Sequence, residues 1–134
     1  MKRVLNIFFF ALLINLVTSC SNEESRLENK WQLRRYEHAN GAVQREDSVF
    51  YNFMSESFSA ICLLSDGSYT TIFGNYTFNG SELMITVLPE SASGPIYERY
   101  LNWKDGSRIF HVDELSSSTL QLNYNGDKSI FRKY

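Results

Sequence analysis

The sequence lacks several features that would assign it to a familiar functional class. Its two cysteines cannot build the disulfide framework of a small secreted scaffold. A net charge of −2 provides no basic surface for nucleic acid, so we expect no nucleic-acid partner. Glycine-rich phosphate loops and the Gly-x-Ser-x-Gly motif are absent, as are internal repeats and low-complexity tracts. What remains is 134 residues, which suits one globular domain.

The N-terminus has the pattern of a secretory signal peptide. Two basic residues, Lys2 and Arg3, precede an almost wholly apolar run from Val4 to Val17. This run is shorter than the roughly 20 residues that a membrane-spanning helix needs. We therefore expect residues 1–19 to be removed and exclude them from the fold.

The next residues resemble a bacterial lipobox, in which a branched apolar residue and two small residues precede a cysteine. Here these are Val17, Thr18, Ser19 and Cys20. The resemblance implies that Cys20 receives a diacylglyceryl group, that the chain is cut before it, and that the new amine is acylated, for example with palmitate. Several acyl chains on one residue make a permanent anchor, because each buried CH₂ contributes about 0.8 kcal/mol. The alternative is an ordinary signal peptide with a free Cys20.

Residues 20–29 are polar and predict a lipidated tether that ends in at most one helical turn. The run Ser21–Glu24 resembles the acidic tag that directs some Gram-negative lipoproteins to the outer surface, and a plain solvated tether is an equal alternative. We expect an outer-membrane protein held in the bilayer by acylated Cys20, on the periplasmic face or the cell surface. Cys62 lies in an apolar run and is expected to be a buried, inert thiol.

Turn signals divide residues 30–134 into short segments in which apolar and polar residues alternate, as they do in half-buried strands. Asn-Gly or Asp-Gly pairs favour the positive φ angles of tight hairpins and occur at 40–41, 66–67, 79–80, 105–106 and 125–126. The predicted strands cover 30–37, 58–64, 69–73, 75–78, 83–88, 97–103, 107–113, 119–124 and 128–133. Together they predict an all-β, up-and-down antiparallel barrel whose first and last strands pair, since closure removes exposed sheet edges.

Short motifs at both ends of this region resemble those of lipocalins. The run from Asn29 to Trp31 is similar to the Gly-x-Trp start of the first lipocalin strand, with Asn29 in place of glycine. The last strand, Ile130–Lys133, is similar to the closing strand whose arginine packs over that tryptophan. Together with the hairpins after Ser65, these motifs resemble lipocalin-like domains of unknown function in lipoproteins of Gram-negative gut bacteria. The resemblance implies that Arg132 packs on Trp31 and closes the barrel.

The alternative is that no such pair forms, because Trp31 is simply a core residue and Arg132 a surface charge. Lys133, which points to the opposite face of the same strand, is the second candidate partner for Trp31. A cation over an indole face contributes about 0.5–2 kcal/mol, so the pair would also fix the register of the two strands.

Aromatic side chains are the main candidates for a binding site. An eight-stranded barrel has an interior that side chains either fill or leave just large enough for one small ligand. The aromatics would thus pack the barrel or line a shallow pocket at one open end, where they suit an apolar molecule or a sugar ring. The candidate ligand-binding residues are Phe58, Tyr69, Phe73, Tyr76, Trp103 and Tyr124.

The sequence offers little for catalysis or metal binding. His111 and Asp113 lie two apart on a predicted strand and share a face, but no third ligand is identifiable, so a solvent-facing polar pair is expected. We therefore predict no enzyme, no metal and no cofactor.

These patterns predict an envelope lipoprotein whose barrel binds a small apolar or carbohydrate ligand. The alternative is a protein-interaction module or accessory subunit of an outer-membrane assembly, with a filled barrel. Segment 47–53 is either another short strand or, like segment 91–96, a candidate lid or partner loop. A cavity above about 300 Å³ favours a ligand, whereas a solid interior with an exposed apolar patch favours a partner.

Overall fold

The computed structural model describes residues 23–89 and 96–134. The predicted signal peptide, Cys20 and most of segment 91–96 therefore lie outside the described residues. Residues 23–27 are helical and form α1, and Ile96–Leu101 forms α2. The strands are β1 (Lys30–Glu37), β2 (Val43–Arg45), β3 (Val49–Met54), β4 (Ser57–Leu63), β5 (Tyr69–Phe78), β6 (Glu82–Val87), β7 (Ser107–Leu115), β8 (Thr119–Tyr124) and β9 (Asp127–Lys133).

Eight of these strands close into an antiparallel barrel in chain order, with β1 hydrogen-bonded to β9. On its other side β1 pairs first with β3, through Lys30–Gln32, and then with the short β2, through Arg35–Glu37. The predicted up-and-down barrel, closed between its first and last strands, is confirmed. Helices described here are too short and too polar to cross a bilayer, and this holds for residues 23–89 and 96–134 only.

The predicted strand over 97–103 is wrong, because this region contains helix α2. Ile96, Tyr97, Tyr100 and Leu101 recur at helical spacing, and all four pack against the barrel core. In the predicted strand, Tyr97, Leu101 and Trp103 also fall on one face of an alternating pattern, so periodicity alone could not separate the two structures. Contact with the core decides in favour of the helix.

Strand β5 is one continuous strand of ten residues, although the sequence suggested two runs separated near Gly74. A Cβ at Gly74 would lie 2.1 Å from the backbone oxygen of Thr86 on β6. Only glycine permits this approach of two backbones, so Gly74 serves strand packing here and not a turn.

The N-terminal end of the barrel is closed by α1. Leu27 is completely buried in the core, and its carbonyl oxygen accepts a hydrogen bond of 3.0 Å from Nε1 of the buried Trp31. Leu27 falls within the predicted tether of residues 20–29. The packed domain instead begins before Lys30, and the short helix at the end of the predicted tether is part of it.

The expected pair between Trp31 and Arg132 does not form. In the β1–β9 register Trp31 lies opposite Lys133, and Arg132 lies opposite Gln32. Directly opposed residues share a face of the sheet, so Arg132 points outward and is exposed while Trp31 points inward. Lys133 is also exposed, and the backbone of α1, not a cation, holds the indole.

Candidate ligand site at the open end of the barrel

The two ends of the barrel are built differently. At the closed end, buried aromatic rings pack edge to face or at a tilt, with neighbouring centroids 4.8–5.4 Å apart. These rings belong to Phe131, Tyr51, Phe58, Phe53 and Tyr76. At the opposite end, which we call the mouth, a cavity of about 580 Å³ opens between the strand ends and α2. The barrel thus combines both expected arrangements, a packed lower part and a shallow pocket above it.

Most residues that line the mouth are polar, and the apolar ones are mainly aromatic. They come from the ends of β1 and β9, the start of β7, the β8–β9 hairpin, and α2 with the loop after it. The lining residues are Tyr36, His38, Gln44, Glu46, Tyr100, Leu101, Asn102, Lys104, Asp105, Ser107, Arg108, Phe110, Tyr124, Asn125, Asp127 and Ser129. Such a lining suits a molecule with polar substituents better than a wholly apolar one.

Arg108 is the central charged group of the mouth. It lies opposite the fully buried Ile85 in the β6–β7 register, so its side chain points into the barrel. The guanidinium carbon is 3.9 Å from the ring centroid of Tyr124 and 5.0 Å from that of Trp103. Phe110 is a third ring, at 5.8 Å. Aromatic faces therefore hold the cation at the floor of the cavity.

Burial changes the ionisation of the groups around this cation. Desolvation lowers the pKa of Arg108, although the nearby tyrosines and Asp127 oppose that shift. Desolvation and the charge of Glu46 raise the pKa of Tyr36 to about 12. The pKa of Tyr51 is also raised, to well above its usual value, chiefly by burial. At neutral pH the mouth therefore presents a charged guanidinium among neutral phenols.

Two of the three acidic residues of the mouth, Glu46 and Asp127, are directed to other partners. Glu46 accepts hydrogen bonds from the backbone and hydroxyl of Ser48. Asp127 accepts a bond of 2.9 Å from the Ala39 amide, and its Oδ1 lies 3.7 Å from Nδ1 of His38. Within residues 23–89 and 96–134, no carboxylate oxygen comes within 4.0 Å of the Arg108 guanidinium.

The predicted ligand-binding aromatics do not form one cluster. Of the six, Tyr124 lines the cavity and Trp103 lies buried beneath Arg108. Phe58 and Tyr76 belong to the packed closed end, and the Tyr76 hydroxyl has no hydrogen-bond partner among the described residues. These two fill the barrel because they fall on the inward face of β4 and β5.

Tyr69 and Phe73 fall on the other face of β5, and they are 67% and 56% exposed on the outside of the barrel. Arg108 was not among the predicted site residues, although it shares the inward face of β7 with Phe110 and Val112. This alternation along the strand was the available signal.

His111 and Asp113 form the expected polar pair outside the cavity. Nδ1 of His111 lies 2.8 Å from Oδ1 of Asp113. The other carboxylate oxygen, Oδ2, accepts a hydrogen bond from Asn123 and lies 3.6 Å from Nζ of Lys128. Burial alone would raise the pKa of Asp113, but these partners lower it below its usual value. In the described part of the chain, no three His, Cys, Asp or Glu residues are grouped to hold a metal ion.

Comparison with known proteins agrees with this architecture. The sequence matches the lipocalin-like domain family over residues 14–134. The fold is similar to the crystal structure of a lipocalin-like protein from Bacteroides uniformis, with 53% identity and a TM-score of 0.75 over 81% of this chain and 99% of that one. It is also similar to an uncharacterized protein from Bacteroides eggerthii, with 40% identity and a TM-score of 0.70 over 79% and 98% of the two chains. No functionally curated protein matches the sequence. The chain is therefore a member of the lipocalin-like domain family.

Proposed function

We propose that this protein is a non-enzymatic binding protein that takes a small apolar or carbohydrate ligand, with polar substituents, at the mouth of its barrel. The observation that carries the proposal is the cavity of about 580 Å³, which lies within the usual size range of small-molecule sites. Lipocalin-like barrels typically bind small hydrophobic molecules, and the rings of Tyr36, Tyr100 and Tyr124 offer apolar faces here. Asn102 and Asn125 add the donors and acceptors that a sugar hydroxyl needs.

Filling the mouth tests this proposal. Ser129 lies on β9 directly opposite Tyr36 and lines the cavity, so Ser129→Trp places a large ring inside it. Ser117→Trp is the matched control, because Ser117 is exposed in the β7–β8 hairpin at the closed end. We expect Ser129→Trp to weaken binding of the neutral dye phenylnaphthylamine at least tenfold and Ser117→Trp to leave it unchanged. If both variants bind the dye equally well, the mouth is not the ligand site.

The ligand itself can be sought by native mass spectrometry of the mature protein purified from its own envelope. A bound small molecule that is present in the wild type and lost in Ser129→Trp would identify the natural ligand class.

We further propose that acylated Cys20 anchors the protein in the outer membrane. The support is the sequence pattern Val17–Cys20 after a basic and apolar leader. Cys20→Ala should move the protein from the membrane fraction to the soluble fraction of the envelope. Continued membrane fractionation of this variant, with unchanged mass at the N-terminus, would contradict the anchor.

A second candidate function, a protein-interaction module, is favoured by apolar residues on the outer face of the barrel. Leu63 and Tyr69 lie opposite each other on β4 and β5, and Met84 and Ile109 do so on β6 and β7. All four are exposed, as is Phe73. A photo-crosslinker at position 73 should trap a partner in cells if this face binds protein. A crosslinker at Gln121, on the outer face of β8, serves as the control.

A further inference from the structure

The guanidinium of Arg108 carries hydrogen-bonding capacity that the described protein does not use. It has five N–H donors, yet no hydrogen bond or ion pair joins it to another residue within 23–89 or 96–134. Its described contacts are with the faces of Tyr124, Trp103 and Phe110, and the N–H edge of the plane has no partner among the residues that the structure describes. A half-buried cation held in this way is a ready-made partner for an anion.

The surrounding charges limit what kind of anion fits. The described lining of the mouth contains two permanent cations, Lys104 and Arg108, and three carboxylates, Glu46, Asp105 and Asp127. A doubly charged phosphate would meet stronger repulsion from these carboxylates than a singly charged group. A carboxylate or sulfonate carries one charge and matches the planar fork of a guanidinium with two parallel hydrogen bonds.

The lining also fixes the other half of the ligand. Tyr36, Tyr100 and Phe110 give the cavity an apolar side around the cation, and polar groups occupy the rim. A molecule with an apolar or aromatic body and one acidic group satisfies both parts.

We propose that Arg108 is the anion anchor of the ligand site and that the ligand is a small organic monoanion with an apolar body. The proposal rests on the function proposed above and adds the charge of the ligand and the residue that binds the charged group. Desolvation of Arg108, which lowers its pKa, agrees with this role, because a bound anion would replace the missing water.

Two dyes that differ in one acidic group test this assignment. Anilinonaphthalene sulfonate and phenylnaphthylamine share the same ring system, and only the first carries a negative charge. Arg108→Gln should weaken binding of the sulfonate at least tenfold, the factor expected when a charge-assisted hydrogen bond is lost, and change binding of the neutral dye less than twofold. Arg132→Gln is the matched control, since it removes the same charge from the outer face near the closed end.

A charge change at Asp127, which also lines the mouth, gives a second readout. Asp127→Asn keeps the oxygen that accepts the Ala39 amide bond but removes the negative charge near Arg108. We expect it to tighten binding of the sulfonate a few-fold and leave the neutral dye unaffected. Asp127→Asn tests the anion anchor even if thermal unfolding shows that Arg108→Gln does not fold.

The possible outcomes separate the anion anchor from the ligand site. If Arg108→Gln binds the sulfonate as tightly as the wild type, or loses both dyes equally, the anion anchor is overturned while the site at the mouth stands. An unchanged sulfonate affinity in Asp127→Asn overturns it in the same way. If the wild type binds neither dye, or Ser129→Trp binds both normally, the ligand site and its anchor fail together.

Discussion

Removing the Leu27 side chain should destabilise the whole barrel, although Leu27 precedes its first strand. The residue is 0% exposed and belongs to the same buried cluster as Trp31. Leu→Ala substitutions at fully buried sites cost about 2.7–5.0 kcal/mol, depending on how far the surroundings collapse. Helix α1 is a short helix of residues 23–27, so it can shift into part of the void. We therefore expect a loss near the lower end, about 3 kcal/mol.

Urea unfolding followed by tryptophan fluorescence measures this loss, since Trp31 sits directly against Leu27. The midpoint should fall while the slope with urea stays the same, because the surface exposed on unfolding hardly changes. Arg26→Ala is the control: Arg26 is exposed on the same helix, and its loss should change the free energy of unfolding by less than about 0.5 kcal/mol. If Leu27→Ala costs no more than Arg26→Ala, α1 does not stabilise the barrel and the domain begins at β1.

Three further outcomes follow from other parts of the barrel. Gly74→Ala should cost about 3 kcal/mol or more in urea unfolding, because its Cβ would sit 2.1 Å from a backbone oxygen of β6. Gly41→Ala, at a positive φ with open space around it, should cost only about 1–2 kcal/mol. Cys62 is 4% exposed and has a pKa raised by burial to about 11, so in a Cys20→Ala background a thiol reagent should label it only in denaturant. Fast labelling of the folded protein would contradict its burial. Tyr36 has a pKa raised from 10.0 to about 12, so its contribution to stability is present below pH 10 and lost as the pH rises to about 12. The stability lost over this pH range should be about 3 kcal/mol smaller in Tyr36→Phe than in the wild type, as unfolding at several pH values would show, because the buried Tyr51 and Cys62 contribute the same loss to both proteins.

Local sequence patterns were sufficient to predict most of the strands of the barrel. β1 and β8 have the predicted bounds, because alternation is clear in both and turn residues flank them. In four of the five Asn-Gly or Asp-Gly pairs the glycine has a positive φ. The exception, Gly106, follows α2 and does not join two strands. Turns and alternation therefore predicted the order of the strands, since short hairpins pair each strand with its neighbours, and closure followed because it removes exposed sheet edges.

The site was harder to predict because it depends on register and on contacts between distant segments. The face of Arg132 follows from its position opposite Gln32, which no local pattern specifies. Arg108 has the right alternation for an inward residue, but an arginine is expected outside unless partners in three dimensions hold it. Its aromatic partners come from β7, β8 and the segment after α2, and α2 was itself predicted as a strand.

The arrangement of the two ends bears on how ligand reaches the site. β1 runs from Lys30 at the closed end to Glu37 at the mouth, and eight residues of strand extend about 25 Å. With the usual barrel tilt, the mouth lies about 20 Å from the end where α1 enters. If acylated Cys20 anchors the chain just before α1, the lipid lies at the closed end and the mouth opens away from the membrane. The site would then draw its ligand from the aqueous side, and a water-soluble organic anion reaches it there more readily than a molecule dissolved in the bilayer.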